Sequence, residues 1–336
     1  MILLWVQMQV QGAGMRAMVM KGGVLELQQL EKPKIKEDEV LIKIVASGVN
    51  RCDLMQPRGV GGGGWFTKPH CPGHECSGTI TAIGTHVTQW KVGDKVCAIL
   101  DKGGYAEQVA VPAKQLLPIP TNVSLADAAS LPFAACNIWL ALFANQEQEA
   151  PMKKVLIHEG ASKIGSMAIQ FAKYKGMKVI ATAGNAIQLS LCEAFGADAC
   201  FDHKTQDLVD TVMKETRNSG VDFILDYGAS YLVQNLQCLN REGRILIVDL
   251  QGEAKSSVQL VHILGRNSEL QVSDIRTQSM DQKASIIGQV QKLLWPVIEE
   301  GKVRPRVGVR LSLTAAGAAP KFLTNKTLAQ NIILYP

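Results

Sequence analysis

The chain has 336 residues, of which 47% are apolar and 19% charged, with a formal net charge of +5. This length suffices for two domains, and this much apolar surface excludes a mainly disordered chain. The weak positive charge is not gathered into a Lys/Arg block, so we expect no nucleic-acid partner. No apolar run reaches the ~18–20 residues of a membrane-spanning helix, and we expect no membrane partner.

The N-terminal segment 1–14 has apolar residues interrupted by glutamines and no basic region before them. It is untypical of a signal peptide, and both an extension and a start at Met15 remain open. The eight cysteines are scattered along the chain. This spacing indicates reduced thiols and predicts a cytoplasmic location.

The first third of the chain predicts β-structure. Short runs rich in β-branched residues occur at Val40–Ala46, Gly78–Ile83 and Lys95–Leu100, with glycine turns between them. Strands at this spacing indicate an antiparallel barrel or sandwich. Further on, Ser124 with Asp127 three residues later predicts the N-cap of one helix that continues to about residue 144.

From residue 154 onward the pattern changes to alternating strands and helices. Apolar strands are predicted at Lys154–His158, Lys178–Ala183, Val221–Asp226 and Arg244–Leu250. Near-continuous apolar strands separated by helices predict an α/β domain with a doubly wound parallel sheet. After about Ser279 we expect one long helix, a strand pair and a final strand.

The strongest functional motif is the glycine-rich turn from Gly160 to Gly165, which lies between a predicted strand and a predicted helix. In that context the helix N-terminal amides point at a pyrophosphate. Ser162 carries a side chain where backbone usually approaches phosphate, and Glu159 places a negative charge beside the anion site. An ordinary βα turn without a ligand is the alternative. The strand–turn–helix context favours dinucleotide binding.

The end of the second strand of this domain favours NADP over NAD. An NAD site usually has an acidic residue there, bonded to the ribose hydroxyls, whereas the sequence reads Ala181-Thr182-Ala183-Gly184-Asn185. Asn185 can donate a hydrogen bond to a 2′-phosphate, and His203 with Lys204 can supply charge. A loop histidine without a ligand is equally compatible with His203.

These motifs follow the order of a known family. Segments of the chain resemble the zinc-independent, zeta-crystallin-like quinone oxidoreductases of the medium-chain dehydrogenase/reductase superfamily: Gly48–Leu54, Pro72–Gly78, Trp90–Val96, Gly103–Glu107 and the turn Ser162–Gly165. The resemblance covers nearly the whole chain from Met15. It implies a GroES-like β-barrel domain formed by residues 1–123 and 277–336, and a Rossmann NADP-binding domain formed by residues 124–276.

The resemblance also implies an activity and a set of site residues. The activity is hydride transfer from NADPH, without zinc, to a small electrophile such as a quinone or another activated carbonyl or enone, in a homodimer. Asn50 and Asn137 are the implied catalytic residues that orient the coenzyme, and Trp65 or Phe66 would line the substrate pocket. The implied coenzyme-binding residues are His158, Gly160, Ser162, Lys163, Ile164, Gly165, Gly184, Asn185, His203, Leu250, Gln251 and Thr327.

Two other functions are weighed against this one. Gly73–Gly78 resembles the zinc signature of alcohol dehydrogenases, but catalytic zinc needs three protein ligands, and Asn50 and Phe133 stand where that family has cysteines. An improvised donor set of Cys52, His70, Cys71 and Cys76 has unsuitable spacing, so we expect no metal. A catalytically weak or inactive coenzyme-binding scaffold is the other alternative, because Lys163 and Gln330 depart from the family's pattern.

Overall fold

We describe a computed structural model of the chain over residues 14–54, 69–143, 153–248, 257–324 and 331–336. The chain divides into two compact units. The first unit comprises Met1–Phe133, Val307–Leu323 and Asn331–Pro336, and the second comprises Ala134–Arg306 and Thr324–Gln330. Within the described ranges, no helix has the length and apolar character needed to cross a membrane.

The strands follow one another as β1 (Gly14–Lys21), β2 (Val24–Glu31), β3 (Glu39–Val49), β4 (Glu75–Ile83), β5 (Lys95–Ile99), β6 (Gln108–Pro112), β7 (Leu116–Pro118), β8 (Lys154–Ile157), β9 (Lys178–Ala183), β10 (Ala199–Asp202), β11 (Val221–Tyr227), β12 (Leu239–Val248), β13 (Glu269–Val272), β14 (Val307–Ser312) and β15 (Asn331–Tyr335). The α-helices are α1 (Arg51–Leu54), α2 (Pro132–Leu142), α3 (Lys163–Tyr174), α4 (Ala186–Ala194), α5 (Leu208–Glu215), α6 (Leu232–Cys238), α7 (Leu260–Arg266), α8 (Met280–Leu293), α9 (Trp295–Glu299) and α10 (Ala319–Thr324).

The first unit is built around β3. Its sheet has the order β14-β15-β3-β4-β5-β7, and β6 also pairs with β3. The β3 pairings are all antiparallel, with β4 along most of the strand, with β6 at its start and with β15 at its end. Alternating apolar side chains of β3, including Val40, Ile42 and Ile44, are buried in the core of this unit. The predicted GroES-like β-domain is confirmed.

The second unit contains a parallel sheet with the order β10-β9-β8-β11-β12-β13. Counted from β8 as strand 1, this is 3-2-1-4-5-6, the order of the dinucleotide-binding Rossmann fold. The chain leaves β8 in one direction along the sheet and later returns to its other side at β11. Ligands of such sheets bind beside this reversal, at the carboxyl ends of the strands. The predicted doubly wound sheet is confirmed.

The single helix predicted from Ser124 is wrong in its first part. The Ser124 hydroxyl accepts a hydrogen bond from the Asp127 amide at 3.1 Å, but the turn that it caps is a short 3₁₀ segment, Asp127–Ser130. A new helix, α2, begins at Pro132. Proline lacks the N–H that a continuous helix requires and fits the first helical turn, so the helix restarts there.

The helix predicted after Ser279 is also two helices, α8 and α9, with Pro296 near the start of the second. Its start was predicted well, because Ser279 and Gln282 form a capping box. Both helices belong to the second unit, which extends to Arg306 rather than to residue 276. Reciprocal hydrogen bonds between the Gln170 side chain on α3 and the Arg304 backbone, at 3.0 and 3.2 Å, connect this segment to the second unit.

Candidate functional site

The turn after β8 has the conformation that a phosphate-binding loop requires. The Gly160 amide donates to the Thr182 carbonyl at 2.9 Å, which fixes the turn to the end of β9. Ser162 is the N-cap of α3, and its hydroxyl oxygen accepts from the Gly165 amide at 3.1 Å. Because its side chain serves the cap, Ser162 leaves the backbone amides at the start of α3 as the groups that can meet an anion.

Two glycines in this turn have no room for a side chain. A Cβ on Gly160 would lie 2.8 Å from the Cys192 sulfur and 3.0 Å from both the Ala181 and Ile169 side chains. A Cβ on Gly165 would overlap the Glu159 carbonyl oxygen. Gly160 therefore lets the turn pack against β9, α3 and α4, and Gly165 lets α3 approach the turn itself. This crowded backbone suits a dinucleotide pyrophosphate.

A pocket of about 190 Å³ opens at the carboxyl ends of β8, β9 and β11. This is the edge of the sheet at which the strand order reverses. Polar and aromatic side chains from the strand ends and the following loops form its walls. They are His158, Glu159, Thr182, His203, Asp226, Tyr227, Ser230 and Tyr231.

A chain of hydrogen bonds runs beneath this pocket. Thr182 Oγ1 lies 3.0 Å from His158 Nδ1, His158 Nε2 lies 2.8 Å from Asn235 Oδ1, and Asn235 Nδ2 donates to Asp226 Oδ2 at 2.9 Å. An ionised carboxylate only accepts hydrogen bonds, so Asn235 turns its amide oxygen towards His158. His158 therefore carries its proton on Nε2, and its Nδ1 accepts the Thr182 hydroxyl proton. Burial raises the pKa of Asp226, and the hydrogen bond from Asn235 opposes that rise.

Aromatic rings form the wall of the pocket between the ends of β8 and β10. The Tyr231 ring stacks on His158 at 5.4 Å between centroids and meets His203 at 5.5 Å. Burial lowers the pKa of His203, which favours the neutral imidazole at pH 7. Its Nδ1 atom is buried and has no hydrogen-bond partner within the described ranges. His203 thus has an unused polar atom close to the pocket.

The predicted 2′-phosphate contacts are only partly available. Asn185 is the N-cap of α4, and its Oδ1 accepts from the Gln188 amide at 3.0 Å. The Gln188 side chain accepts from the Gly184 amide at 3.1 Å. Lys204 is closest to the expected position, because its Nζ donates to the Gly184 carbonyl at 2.6 Å. A cation therefore lies at the end of β9, where an NAD site would have an acid.

Glu159 and Lys163 occupy different surroundings. Glu159 has a positive φ of 49° and an exposed side chain that lines the pocket. Lys163 is the first residue of α3 and does not line the pocket. The Glu159 carboxylate thus faces the candidate anion site, whereas the Lys163 side chain is not among the residues that line the pocket.

In the first unit, a buried polar network surrounds Asp53. Its Oδ1 accepts a hydrogen bond from His74 Nδ1, and its Oδ2 accepts from the Asn50 amide at 2.7 Å and the Tyr105 hydroxyl at 3.0 Å. The Asn50 side chain donates to Glu75 at 2.9 Å. Burial, with Asp53 nearby, raises the pKa of Tyr105 well above its ordinary value. The Tyr105 hydroxyl therefore stays protonated and donates a hydrogen bond to Asp53.

Two family models match the chain. The alcohol dehydrogenase GroES-like domain matches residues 36–121, in the first unit, and the zinc-binding dehydrogenase model matches residues 164–288, in the second. The quinone oxidoreductase of Mus musculus is 29% identical over 308 residues, which are 88% of each chain. The synaptic vesicle membrane protein VAT-1 homolog of Danio rerio is 27% identical over 324 residues, which are 90% of this chain and 65% of that protein.

Solved structures share the whole fold. A structure described as an NAD-dependent alcohol dehydrogenase aligns with a TM-score of 0.81 at 27% identity, over 96% of this chain and all of that one. The Escherichia coli quinone oxidoreductase complexed with NADPH aligns with a TM-score of 0.80 at 22% identity, over 96% of this chain and 99% of that one. The chain belongs to the medium-chain dehydrogenase/reductase superfamily. Within this superfamily of nicotinamide-dependent oxidoreductases it is a zeta-crystallin-like member.

Because one matching model describes a zinc-binding dehydrogenase, the donor groups of this superfamily member need testing against zinc. Within the described ranges, one trio has donor atoms within 4.8 Å of one another: Cys52, Asp53 and His74. Both Asp53 oxygens already accept hydrogen bonds, one of them from His74 itself. Cys71 and Cys76 are not part of this trio, so it offers a single thiol beside a carboxylate and an imidazole that are bonded to each other. These residues do not fit a zinc site.

Other implied residues belong to different units or lie outside the described ranges. Asn50 belongs to the first unit, whereas Asn137 is buried in the second, where its side-chain oxygen accepts from the Ile275 amide at 3.3 Å. Gly184 and Ile164 are where the Rossmann interpretation places them, at the end of β9 and in the first turn of α3. Trp65, Phe66, Leu250, Gln251 and Thr327 lie outside the described residues.

Sequence reasoning missed several pocket residues of this zeta-crystallin-like chain. Thr182 and Asp226 lie at the carboxyl ends of predicted strands, and the rule that ligands bind at those ends would have indicated them. Tyr231 and Asn235 come from the segment after β11. Their sequence has no local pattern that points to a site.

Proposed function

We propose that the chain is an NADPH-dependent, zinc-independent quinone oxidoreductase that reduces a quinone or another activated carbonyl or enone. The observation that carries this proposal is the crowded Gly160–Gly165 turn at the point where the Rossmann strand order reverses. The 29% identity to the mouse quinone oxidoreductase over most of both chains supports the substrate class. The cytoplasmic location stays a prediction.

The coenzyme's pyrophosphate would be held by the second unit. The backbone amides at the start of α3 and the positive end of its helix dipole, next to Gly160 and Gly165, are the groups that would attract the diphosphate. Ser162 stabilises that helix end without obstructing the backbone, because its hydroxyl is engaged by the Gly165 amide. The residues present therefore fit a dinucleotide diphosphate.

Preference for NADPH over NADH is supported by the charge at the end of β9. Lys204 is fixed against Gly184, and the strand ends at Ala183 with no acidic residue. A lysine at this position attracts a 2′-phosphate, whereas the ribose hydroxyls of NADH would lack the usual carboxylate acceptor. His203 lines the same pocket, and its ring approaches Gly184.

When bound, NADPH supplies a hydride, and a quinone that takes up this hydride and a solvent proton becomes a hydroquinone. The chain's own contribution is to bind, orient and exclude water. Asn50 is the candidate in the first unit, with an amide already oriented by Glu75. Asn137 is the candidate in the second unit, where its buried side chain is fixed by the Ile275 amide.

One observation favours a second candidate function, a coenzyme-binding protein with little or no turnover. The Glu159 carboxylate lines the pocket and repels a diphosphate, so it weakens coenzyme binding. Such a protein would keep the reductase fold and the Gly160–Gly165 turn but would have little catalytic activity.

The deciding experiment titrates NADPH and NADH against intrinsic tryptophan fluorescence and then follows NADPH oxidation with 1,4-benzoquinone and 9,10-phenanthrenequinone. Saturable NADPH binding with quinone-dependent oxidation supports the reductase. Tight binding without turnover across quinones and enones supports the scaffold. Absence of binding at millimolar NADPH contradicts both. Metal analysis of the same preparation tests the zinc dehydrogenase alternative, which requires one zinc per chain at the active site.

A further inference from the structure

The hydrogen-bonded chain beneath the pocket joins the ends of three neighbouring strands. Thr182 lies near the end of β9, His158 directly follows β8, and Asp226 lies near the end of β11. Asn235, on α6, is bonded to both His158 and Asp226. All four side chains are buried. The chain thus runs from a carboxylate, Asp226, to a hydroxyl, Thr182, and both of these residues line the pocket.

The carboxylate at one end determines the direction of every hydrogen bond in this chain. A hydroxyl and a neutral imidazole can each donate and accept, and a side-chain amide can turn to exchange its oxygen and nitrogen. An ionised carboxylate can only accept. While Asp226 is charged, the Thr182 proton is therefore directed at His158 Nδ1 and is not offered to a ligand.

A neutral Asp226 removes this constraint. Its carboxyl hydrogen can be donated to the Asn235 oxygen, and the Asn235 nitrogen can then donate to His158 Nε2. His158 Nδ1 donates in turn to the Thr182 oxygen, which leaves the Thr182 hydrogen to point into the pocket. One proton is taken up, at Asp226. The imidazole stays neutral because a proton leaves Nε2 as another reaches Nδ1, both by exchange with water.

We propose that the charge of Asp226 decides, through this chain, whether the Thr182 hydroxyl accepts a hydrogen bond from a bound coenzyme or donates one to it. Asp226 and Asn235 are thus positioning residues, and Thr182 is the residue that meets the ligand. The effect on the coenzyme rests on the proposed function. The coupling between Asp226 and the His158 proton does not.

The charge of Asp226 also opposes an anionic coenzyme directly. Two carboxylates, Glu159 and Asp226, line the pocket, whereas no lysine or arginine of the described ranges does. A neutral Asp226 therefore favours NADPH in two ways. Electrostatic repulsion decreases, and the Thr182 hydrogen becomes available to an oxygen of the coenzyme. NADPH affinity should rise when Asp226 loses its charge.

The surroundings of Asp226 make this loss of charge easier. Burial raises the pKa of Asp226 by more than the neighbouring donors lower it. Burial also lowers the pKa of His203 and raises that of Tyr231, so both of these rings are uncharged at pH 8. The titratable groups that share the pocket with Asp226 are His158 and Glu159 after β8, His203 after β10, Tyr227 at the end of β11 and Tyr231 before α6.

The first experiment locates the His158 proton by NMR. The protein is labelled with ¹⁵N-histidine, and the His158 signals among those of the six histidines are assigned by their loss in His158→Gln. At pH 8 we expect the wild type to have a protonated Nε2 and an unprotonated Nδ1. Asp226→Asn, which makes this position neutral, should give a mixture of both tautomers. An Asp226→Asn protein with the wild-type tautomer alone overturns the coupling.

Asp222→Asn is the matched control. Asp222 lies near the start of the same strand and also accepts from an asparagine side chain, that of Asn240. It is not among the residues that line the pocket. We expect Asp222→Asn to keep the wild-type tautomer of His158. The same mixture in Asp222→Asn would show a general disturbance of the unit and contradict transmission along the chain.

A titration of the wild type answers the same question if Asp226→Asn does not fold. Between pH 8 and pH 5, the Nδ1-protonated neutral tautomer of His158 should appear before the doubly protonated ring does. Direct conversion of the Nε2-protonated ring into the doubly protonated ring overturns the proposal.

The second experiment measures NADPH affinity at pH 8. Asp226→Asn should lower the Kd about fivefold, a change of ~1 kcal/mol. Thr182→Val, made in both backgrounds, isolates the hydroxyl by a double-mutant cycle. Its loss of affinity should be about threefold greater with Asn than with Asp at position 226. Equal losses overturn the role of Thr182, and an unchanged or higher Kd in Asp226→Asn overturns the effect of the charge.

The outcomes separate this proposal from the proposed function. If neither the wild type nor Asp226→Asn binds NADPH, the proposed function fails, and the His158 tautomer still decides whether Asp226 acts through the chain. Tighter NADPH binding with an unchanged tautomer assigns the whole effect to charge and overturns transmission to Thr182.

Discussion

His74 Nδ1 donates its hydrogen bond to Asp53, and the same carboxylate also accepts from the Asn50 amide and the Tyr105 hydroxyl. All of these groups are buried in the first unit. Asp53 therefore accepts hydrogen bonds from three separate segments, which are the residue before α1 and the loops before β4 and β6. The relationship makes the histidine part of a structural network.

Asp53→Asn should destabilise the protein by about 2–4 kcal/mol, because an amide cannot accept three hydrogen bonds and leaves a buried donor unpaired. Urea unfolding measures this change. Asp94→Asn, in a surface turn where Asp94 accepts from the Lys91 amide, is the matched control and should cost less than about 1 kcal/mol. Equal effects from both substitutions would contradict the role given to Asp53.

Lys204→Gln should raise the Kd for NADPH about tenfold, ~1.4 kcal/mol, and leave the Kd for NADH almost unchanged. The reason is that only NADPH carries the 2′-phosphate expected beside Gly184. Fluorescence titration of both coenzymes gives the ratio. Lys214→Gln, an exposed lysine at the end of α5, serves as the control. A similar loss for NADH would place Lys204 outside the phosphate contact.

Gly165→Ala should weaken NADPH binding at least tenfold and destabilise the second unit by about 1–3 kcal/mol, because its Cβ overlaps the Glu159 carbonyl oxygen. Gly288→Ala is the comparison within the same unit. Gly288 lies inside α8 with nothing within 4 Å of an added Cβ, so alanine should stabilise by about 0.5–1 kcal/mol. Thermal unfolding and NADPH titration distinguish the two.

The pH dependence of stability should include a contribution from Asp198. Burial opposes its charge, but hydrogen bonds from Lys173 and the Val179 amide outweigh that cost and lower the pKa of Asp198. An acid with a lowered pKa in the folded state stabilises the fold above its unfolded pKa, and this stabilisation disappears as pH falls through the folded pKa.

We therefore expect Asp198→Asn to reduce stability at pH 7 by less than about 1 kcal/mol, since the pair is partly exposed. The difference from wild type should shrink below about pH 4. Urea unfolding between pH 3 and 7 measures both proteins. Glu193→Gln, on the exposed side of α4, should not change the shape of the profile.

The homodimer implied by the resemblance remains a proposal, and the edge of the second unit's sheet supports it. Strand β13 is the last strand of that sheet, and its Leu270 and Val272 are exposed. On the preceding helix Leu260, Val261 and Leu264 are 75%, 64% and 83% exposed. A second copy suits this surface, because two identical edge strands can pair antiparallel about a two-fold axis.

Leu264→Glu should then give monomers at concentrations where the wild type sediments as a dimer. Val92→Glu, which changes an exposed apolar residue in a turn of the first unit, should leave the dimer intact. Sedimentation equilibrium gives the masses. A wild-type protein that is monomeric throughout would contradict the proposal.

Much of the fold could be predicted because its strands are continuous apolar runs. Lys178–Ala183 was predicted with the bounds that the structure has. The helix breaks at Pro132 and near Pro296 were not, because the apolar periodicity continues across both prolines. The extent of the second unit was misjudged for a related reason, since the segment up to Arg306 joins this unit through long-range contacts such as that between Gln170 and Arg304.

The candidate site also has a part that local sequence predicted and a part that it did not. The Gly160–Gly165 turn is a local motif and was predicted from sequence. The Asn235 side chain reaches His158 across 77 positions of the chain, and Lys204 rather than Asn185 lies on Gly184. Such partners are determined by how the strands are ordered in the sheet, which no local pattern encodes.

The left-handed turn at Glu159 has a consequence for turnover. The positive φ of Glu159 costs a non-glycine residue about 1–2 kcal/mol. Its carboxylate lines the pocket that we propose binds the anionic coenzyme. Replacement by glycine would relieve both and lengthen the residence time of a bound coenzyme. In a reductase whose cycle ends with departure of the oxidised nucleotide, this glutamate would keep the exit fast at the expense of affinity.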